Sequence, residues 1–242
     1  MHSWRFLDSG PNVGIYNMAV DQELLAKAQL GEKMPILRFY DWSPPAVSIG
    51  RFQKIKTAVD AEACKRLGFD IVRRITGGRA VLHHNELTYG VIARSDDPLF
   101  PPNVLGAYKV IAAGLVAGLK NLGVDAEMVS RTGRHASLVN KNDKDPSCFS
   151  SPSWYEIVVN GKKIIGSAQR RLSGAFLQHG SILIDYDPAL EAEVIPGGGR
   201  SRGVTSISGE LGKSVPLEEI KNAFRNGFSQ ALGIEFHEQH SE

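Results

Sequence analysis

Strand-like and helix-like runs alternate along nearly the whole chain, and this interleaving is what most narrows the folds open to it. Trp4-Arg5-Phe6-Leu7, Ile36 to Tyr40, Ala46 to Ile49 and Asp70 to Arg74 read as strands, whereas Tyr16 to Gln29 sets Met18, Leu24, Leu25 and Ala28 at helical spacing. Ser43-Pro44-Pro45 forces a turn, because proline fixes φ and donates no hydrogen bond. Asp60 to Leu67 is a short helix stopped by Gly68, and Ala80 to His83 and Leu87 to Ala93 continue the sheet. The longest helix is expected over Asn103 to Leu122, with Val104, Tyr108, Ile111, Leu115 and Leu119 as its core stripe. Asn160-Gly161 tolerates positive φ and predicts a hairpin joining Trp154–Val159 to Lys163–Gln169, with Ala175 to Asp185 as a third strand. A terminal helix at 216–232 presents Ile220, Phe224, Phe228 and Leu232 on one face.

The chain has 242 residues, enough to bury a core without disulfides or structural metal, and one domain over 1–242 is expected. Its 28 Lys and Arg against 26 Asp and Glu leave a net charge of +2, too little to recruit nucleic acid or an anionic membrane by bulk electrostatics. The longest apolar run, Val110 to Leu119, is about half a bilayer crossing, and Met1-His2-Ser3-Trp4 lacks the order of a secretion signal. A soluble cytoplasmic protein is expected. Cys64 and Cys148 make no disulfide framework, and with the seven histidines they show no zinc-ligand spacing, so no metal site is predicted.

Three segments could carry chemistry. Arg73-Arg74-Ile75-Thr76-Gly77-Gly78-Arg79 is a glycine turn between two strands, either a plain hairpin or an anion cradle with flanking arginines. It is neither a Walker loop nor a dinucleotide fingerprint. Cys64 sits among apolar residues and reads as a core thiol. Cys148 instead ends a polar stretch, 131–147, expected to be a mobile surface loop, and Lys163 begins the hairpin strand whose cation could return to that loop end. By strand alternation Lys163 and Ile165 face one way, Lys162 and Ile164 the other, so one lysine points inward. Gln178-His179-Gly180-Ser181 adds polar groups to an apolar strand, as a pocket wall or a satisfied network, and His83 and His84 carry the same ambiguity.

These segments resemble, in order, those of the lipoate ligase, biotin ligase and octanoyltransferase superfamily. Trp4 to Gly10, Asn17-Met18-Ala19-Val20-Asp21, Arg38-Phe39-Tyr40-Asp41-Trp42, Arg73 to Arg79 and Gly161 to Ala168 are similar to its successive blocks. Cys148-Phe149, Pro152-Ser153-Trp154-Tyr155-Glu156 and Gln178 to Leu183 narrow the likeness to the Gram-positive type of octanoyltransferase. His84 stands where the family usually has aspartate.

The resemblance implies an α/β domain of the biotin/lipoate ligase catalytic type, with a mixed sheet flanked by helices. It implies Cys148 and Lys163 as catalytic residues, and an acyl chain held by Arg74, Thr76, Gly77, Gly78, Arg79 and His83 on one side and Gly166, Ser167, Ala168, His179 and Gly180 on the other. Val81, Leu82, Ile164 and Ile165 are candidates for its apolar slot. No cofactor is implied. The partners would be octanoyl-acyl carrier protein and lipoyl-domain proteins, such as glycine cleavage H protein and 2-oxoacid dehydrogenase E2 subunits. Such partners are acidic, and Arg170-Arg171 and Arg200-Ser201-Arg202 are the candidate docking charges. An ATP-dependent lipoate ligase, an amidotransferase between lipoyl domains and a noncatalytic binder of lipoylated proteins are the alternatives.

Overall fold

The computed structural model describes residues 2–129, 156–199 and 203–238. The chain opens with β1 (His2–Asn12), α1 (Gly14–Gln29), β2 (Ile36–Trp42) and β3 (Ala46–Ile49). Two short helices, α2 (Ile55–Ala58) and α3 (Ala61–Leu67), precede β4 (Asp70–Arg73), β5 (Val81–His83) and β6 (Glu86–Arg94). After α4 (Val104–Asn121) come β7 (Glu127–Met128), β8 (Ile157–Val159), β9 (Lys162–Leu172) and β10 (Ala175–Leu183). The chain continues through α5 (Pro188–Val194), α6 (Ile207–Leu211) and α7 (Leu217–Leu232) to β11 (Ile234–Glu238).

These strands build two sheets: a mixed one in the order β11-β1-β2-β6-β10-β9-β8-β7, and a small one in the order β4-β3-β5. The α/β architecture is as expected. The single continuous sheet is not, because β5 belongs to the small sheet and β6 to the large one. Ser43-Pro44-Pro45, whose first proline bond is cis, carries the chain from one sheet to the other. The glycine turn is no hairpin either: β4 and β5 both pair with β3 and not with each other, so the segment passes over the end of β3.

Helix starts and stops follow their chemistry. Asp60 caps α3 by accepting from the Ala63 amide, and Gly68 ends it with φ of 72°. Asn103 caps α4 in the same way through Gly106. In α4, Ile111, Leu115 and Leu119 are buried, but Val104 is 44% exposed at the first turn. By length and composition α4 could cross a membrane; here it packs along α7 as a core helix. That packing is close because Gly114 and Gly118 face Phe228 and Phe224, and a methyl at Gly118 would stand 2.4 Å from the Phe224 ring.

The predicted hairpin is present, with Asn160 and Gly161 both at positive φ, 49° and 79°. A bulge interrupts the β8–β9 register between Ile157/Ile165 and Val158/Lys163. Strict alternation fails there, and Ile164 and Ile165 both bury in the main core.

Candidate active site

Both sheets contribute to a small cavity of about 30 Å³ along the seam between them. Ser48, Val81 and His83 come from the small sheet; Tyr40, Trp42, Thr88, Gly166, Ala168, His179 and Ser181 come from the large one. Met18 of α1 and Arg74 of the glycine segment complete much of the wall. Apolar surface from Met18, Tyr40, Trp42 and Val81 beside a few fixed polar groups is the usual make-up of a small-molecule site. Of the four candidates for an apolar slot, Val81 lines the cavity, whereas Leu82 packs on the small sheet's core, Ile164 and Ile165 lie in the main core, and none of these three lines it.

One polar chain pins the seam on its small-sheet side. Arg74 donates through one nitrogen to Ser48 Oγ and to the Ser48 carbonyl, each at 3.0 Å. Ser48 Oγ is 2.8 Å from His83 Nε2, and His83 Nδ1 is 3.0 Å from Glu86 Oε1, which also accepts from Thr88 at 2.6 Å. Trp42 stacks on His83 at 3.9 Å and donates to Thr88. A neutral imidazole fits this order: Nδ1–H donates to the carboxylate and Nε2 accepts from the serine that Arg74 holds. Burial pushes the His83 pKa below its ordinary value, against the opposing pull of Glu86.

The folded state therefore binds that proton less readily than the unfolded chain. Stability contributed by neutral His83 is fully present above about pH 6.5 and is lost as pH falls through the lowered folded value. Thermal midpoints measured between pH 7.5 and 5 should decline on the acid side, and His83→Gln should flatten that decline. An unchanged slope in the variant would assign it to other groups.

A second chain pins the large-sheet side. Arg38 is fully buried among the apolar residues Ile36, Leu37, Phe39 and Tyr40 of β2 and donates to Asp21 Oδ1 at 2.6 Å, to the Asn17 side chain and carbonyl, and to Ser9. Asp21 Oδ2 accepts from Tyr40 at 2.9 Å and lies 2.8 Å from His179 Nδ1. His179 Nε2 in turn lies 2.7 Å from Thr76 Oγ1 in the glycine segment. Burial alone would raise the Asp21 pKa, but His179 and Arg38 outweigh it and hold the carboxyl below its ordinary value. Neither Asp21 nor Arg38 stands among the site residues proposed from sequence. The available signal was a charge within Ile36-Leu37-Arg38-Phe39-Tyr40, which requires a buried partner.

The glycine segment is held at several points. Arg74 donates to the carbonyls of Gly77 and Arg79, at 2.9 and 2.6 Å, and the Arg51 amide donates to the Thr76 carbonyl. Gly78 has φ of 90°, and its carbonyl sits so close to Gly50 that a methyl there would lie 2.0 Å away. Gly50, unremarked in the sequence, lets this segment close on the seam. On the facing strand Ser167 Oγ is 2.7 Å from Tyr89 OH, whose pKa burial pushes up to about 12, and a methyl on Gly180 would meet the Gly166 carbonyl at 2.4 Å.

Arg74, His83, Gly166, Ser167, Ala168, His179 and Gly180 all border the cavity. Thr76 is tied to it through His179, whereas Gly77, Gly78 and Arg79 form the segment's backbone without lining it. Lys163 is fully buried and Lys162 exposed, so the inward lysine is the one expected. Its ammonium donates to Glu156 at 2.6 Å, a partner the sequence reading lacked, and its backbone joins Gly203 and Thr205. Lys163 is not among the described lining residues. Cys148, the 131–147 loop, Arg200 and Arg202 fall outside the described residues. Cys64 is buried, as expected, and burial pushes its thiol to about 11.

Residues 14–229 match the lipoyl protein ligase A/B catalytic domain family. The chain is 42% identical to octanoyltransferase LipM of Geobacillus kaustophilus over 241 residues, covering 96% of this chain and 87% of that protein. Among solved structures it is similar to a lipoate-protein ligase A bound with ATP, at 28% identity and a TM-score of 0.80, covering all of this chain and 90% of that one. A T. acidophilum protein described as a lipoate protein ligase, with lipoic acid bound, is 27% identical with a TM-score of 0.79 and the same coverage. With the match spanning both sheets and the seam between them, the chain belongs to the lipoyl protein ligase A/B catalytic domain family.

Proposed function

We propose that this protein is an acyltransferase that moves an octanoyl group from the thioester of an acyl carrier protein, through a thioester on Cys148, to a lysine of a lipoyl-domain protein. Its likeness to octanoyltransferases along nearly its full length carries this reading. The acceptors we infer are glycine cleavage H protein and 2-oxoacid dehydrogenase E2 subunits, and the compartment is the cytoplasm, where thiols stay reduced.

In the first step the Cys148 thiolate sulfur bonds to the acyl carbon, the carrier's C–S bond breaks, and the carrier leaves as a thiolate that takes a proton from solvent. In the second, the acceptor amine forms the C–N bond and Cys148 departs as thiolate, the ammonium proton passing to solvent. The amide is more stable than the thioester, so no nucleotide is consumed. Lys163 favours the ionised thiol by Coulomb attraction, with Glu156 setting the position of its ammonium. Main-chain amides near Ser167 or Gly78 are the candidates for holding the oxyanion. Met18, Trp42 and Val81 give the cavity the apolar surface a saturated tail requires.

A second reading, ATP-dependent ligation, is favoured by the likeness to a ligase bound with ATP. Intact-protein mass spectrometry after incubation with octanoyl carrier protein separates the two. An octanoyl adduct without ATP is expected. Modification of the acceptor only with free octanoate, ATP and magnesium would make the protein a ligase, and an adduct drawn only from an octanoylated lipoyl domain would make it an amidotransferase.

A further inference from the structure

Strand alternation splits the adjacent Arg170 and Arg171. Arg171 turns into the fold, donating to Gln169 and to the carbonyls of Pro102 and Asn103 over the Phe176 ring. Arg170 turns the other way, into a groove it shares with Arg51 and Arg73.

This groove runs beside α1 and has a volume of about 410 Å³. It continues through Gln22 and Arg73 into a second hollow reaching Ile15, and Ile15 to Ala26 of α1 spans about 17 Å at helical rise. Leu25, Ala26, Ile75 and Leu172 give the basic end an apolar wall, and no acidic residue lines that end among the described residues. Arg73 donates from one nitrogen to the carbonyls of Gly50, Arg51 and Gln53, fixing the loop that presents Arg51 and Phe52. Phe52 is 83% exposed, 5.2 Å from the Arg51 guanidinium. Clustered arginines, one of them fixed on three carbonyls, beside an exposed aromatic ring are the composition of a protein interface rather than of an idle charged surface.

We propose that this groove docks an acidic helix of the acyl-bearing carrier protein, an inference that rests on the transferase reading above. Arg74 borders both the groove and the cavity, so docking there adjoins the acyl site. The carrier fits this position better than the acceptor does. Lys163 and Arg170 are seven strand residues apart, about 23 Å. A lysine's four-carbon stem reaches roughly a quarter of that distance. With the thioester held beside Lys163, as proposed above, the acceptor lysine must reach it directly, whereas a carrier delivers its acyl group on a long arm and can rest farther away.

Steady-state kinetics with octanoyl carrier protein and with the small thioester octanoyl-pantetheine test the assignment. The double variant Arg51→Glu/Arg170→Glu should raise KM for the carrier roughly tenfold or more at low salt, the effect shrinking at high salt, while octanoyl-pantetheine kinetics stay unchanged. Arg51→Gln/Arg170→Gln, which adds no repulsion, should raise it less. An equal loss with octanoyl-pantetheine would return these arginines to the pocket or the fold. An unchanged carrier KM, or a rise only in the acceptor's KM measured from pre-octanoylated enzyme, would overturn carrier docking. Should wild type accept octanoyl from neither donor, the transferase reading itself falls; should it accept from both while the variants match it, only the docking falls.

Discussion

Replacing Cys148 with alanine is expected to abolish both the octanoyl adduct and transfer to the acceptor, while Cys64→Ala leaves both nearly intact. The contrast follows from what each thiol can do. Cys64 is enclosed by Val47, Val59 and Ala63 in the small sheet's core, and its thiol, pushed to about 11 by burial, is almost wholly protonated at neutral pH. A nucleophile for a thioester must be both reachable and ionised. Iodoacetamide alkylation near neutral pH adds a graded readout: Lys163→Ala should slow modification of Cys148, and Lys162→Ala, which removes an exposed side chain, should not. An octanoyl adduct that persists in Cys148→Ala would sink the covalent mechanism, and matching alkylation rates in wild type and Lys163→Ala would remove the lysine's electrostatic role.

Asp21→Ala should cost about 3–5 kcal/mol of folding stability, because it strands the buried Arg38 charge without its carboxylate. The urea midpoint is the measure, since the main core and the other hydrogen bonds of Arg38 to Asn17 and Ser9 remain. Asp21→Asn keeps the volume and one acceptor and should fall between. The loss should extend to the cavity, because Asp21 also orders His179, and His179 meets Thr76 of the glycine segment. A stability for Asp21→Ala within about 1 kcal/mol of wild type would mean that Asn17 and Ser9 compensate the Arg38 charge without the carboxylate.

Local elements were readable from sequence because their causes are local. Asn160-Gly161 announces its turn through φ, and Gly68 stops α3 for the same reason. Sheet membership is a long-range property, and the short strands β3 and β5 carry no mark that says which neighbours they take. The parallel strand β11 escaped notice because Ile234 to Glu238 is brief and polar at every second position, although it covers the outer edge of β1. In the site, the motif-bearing residues Arg74, His83, Gly166 and His179 do converge. Asp21 was missed because one acid within an amphipathic helix looks like solvent-facing charge until the strand carrying Arg38 is laid against it. The bulge at β9 shows the limit of alternation: counting by twos says that one of Lys162 and Lys163 turns inward, but it misplaces one of the two isoleucines after them.

The glycine segment crosses the end of β3 to join two strands that lie on opposite sides of it, about 10 Å apart at ordinary strand spacing. An ordinary hairpin loop tolerates added or lost residues at its tip, because its two strands remain zipped beneath it. Residues 74–80 have no such freedom. They are fastened at Ile49 through the Arg74 amide, at Arg51 through the Thr76 carbonyl and at His179 through the Thr76 hydroxyl. Deleting one residue would pull a fastening open, and adding one would push the bow into the cavity or away from it. Side chains that line the cavity, such as Met18 and Val81, can be exchanged without moving the segment, but the length of the bridge over β3 is a fixed gauge.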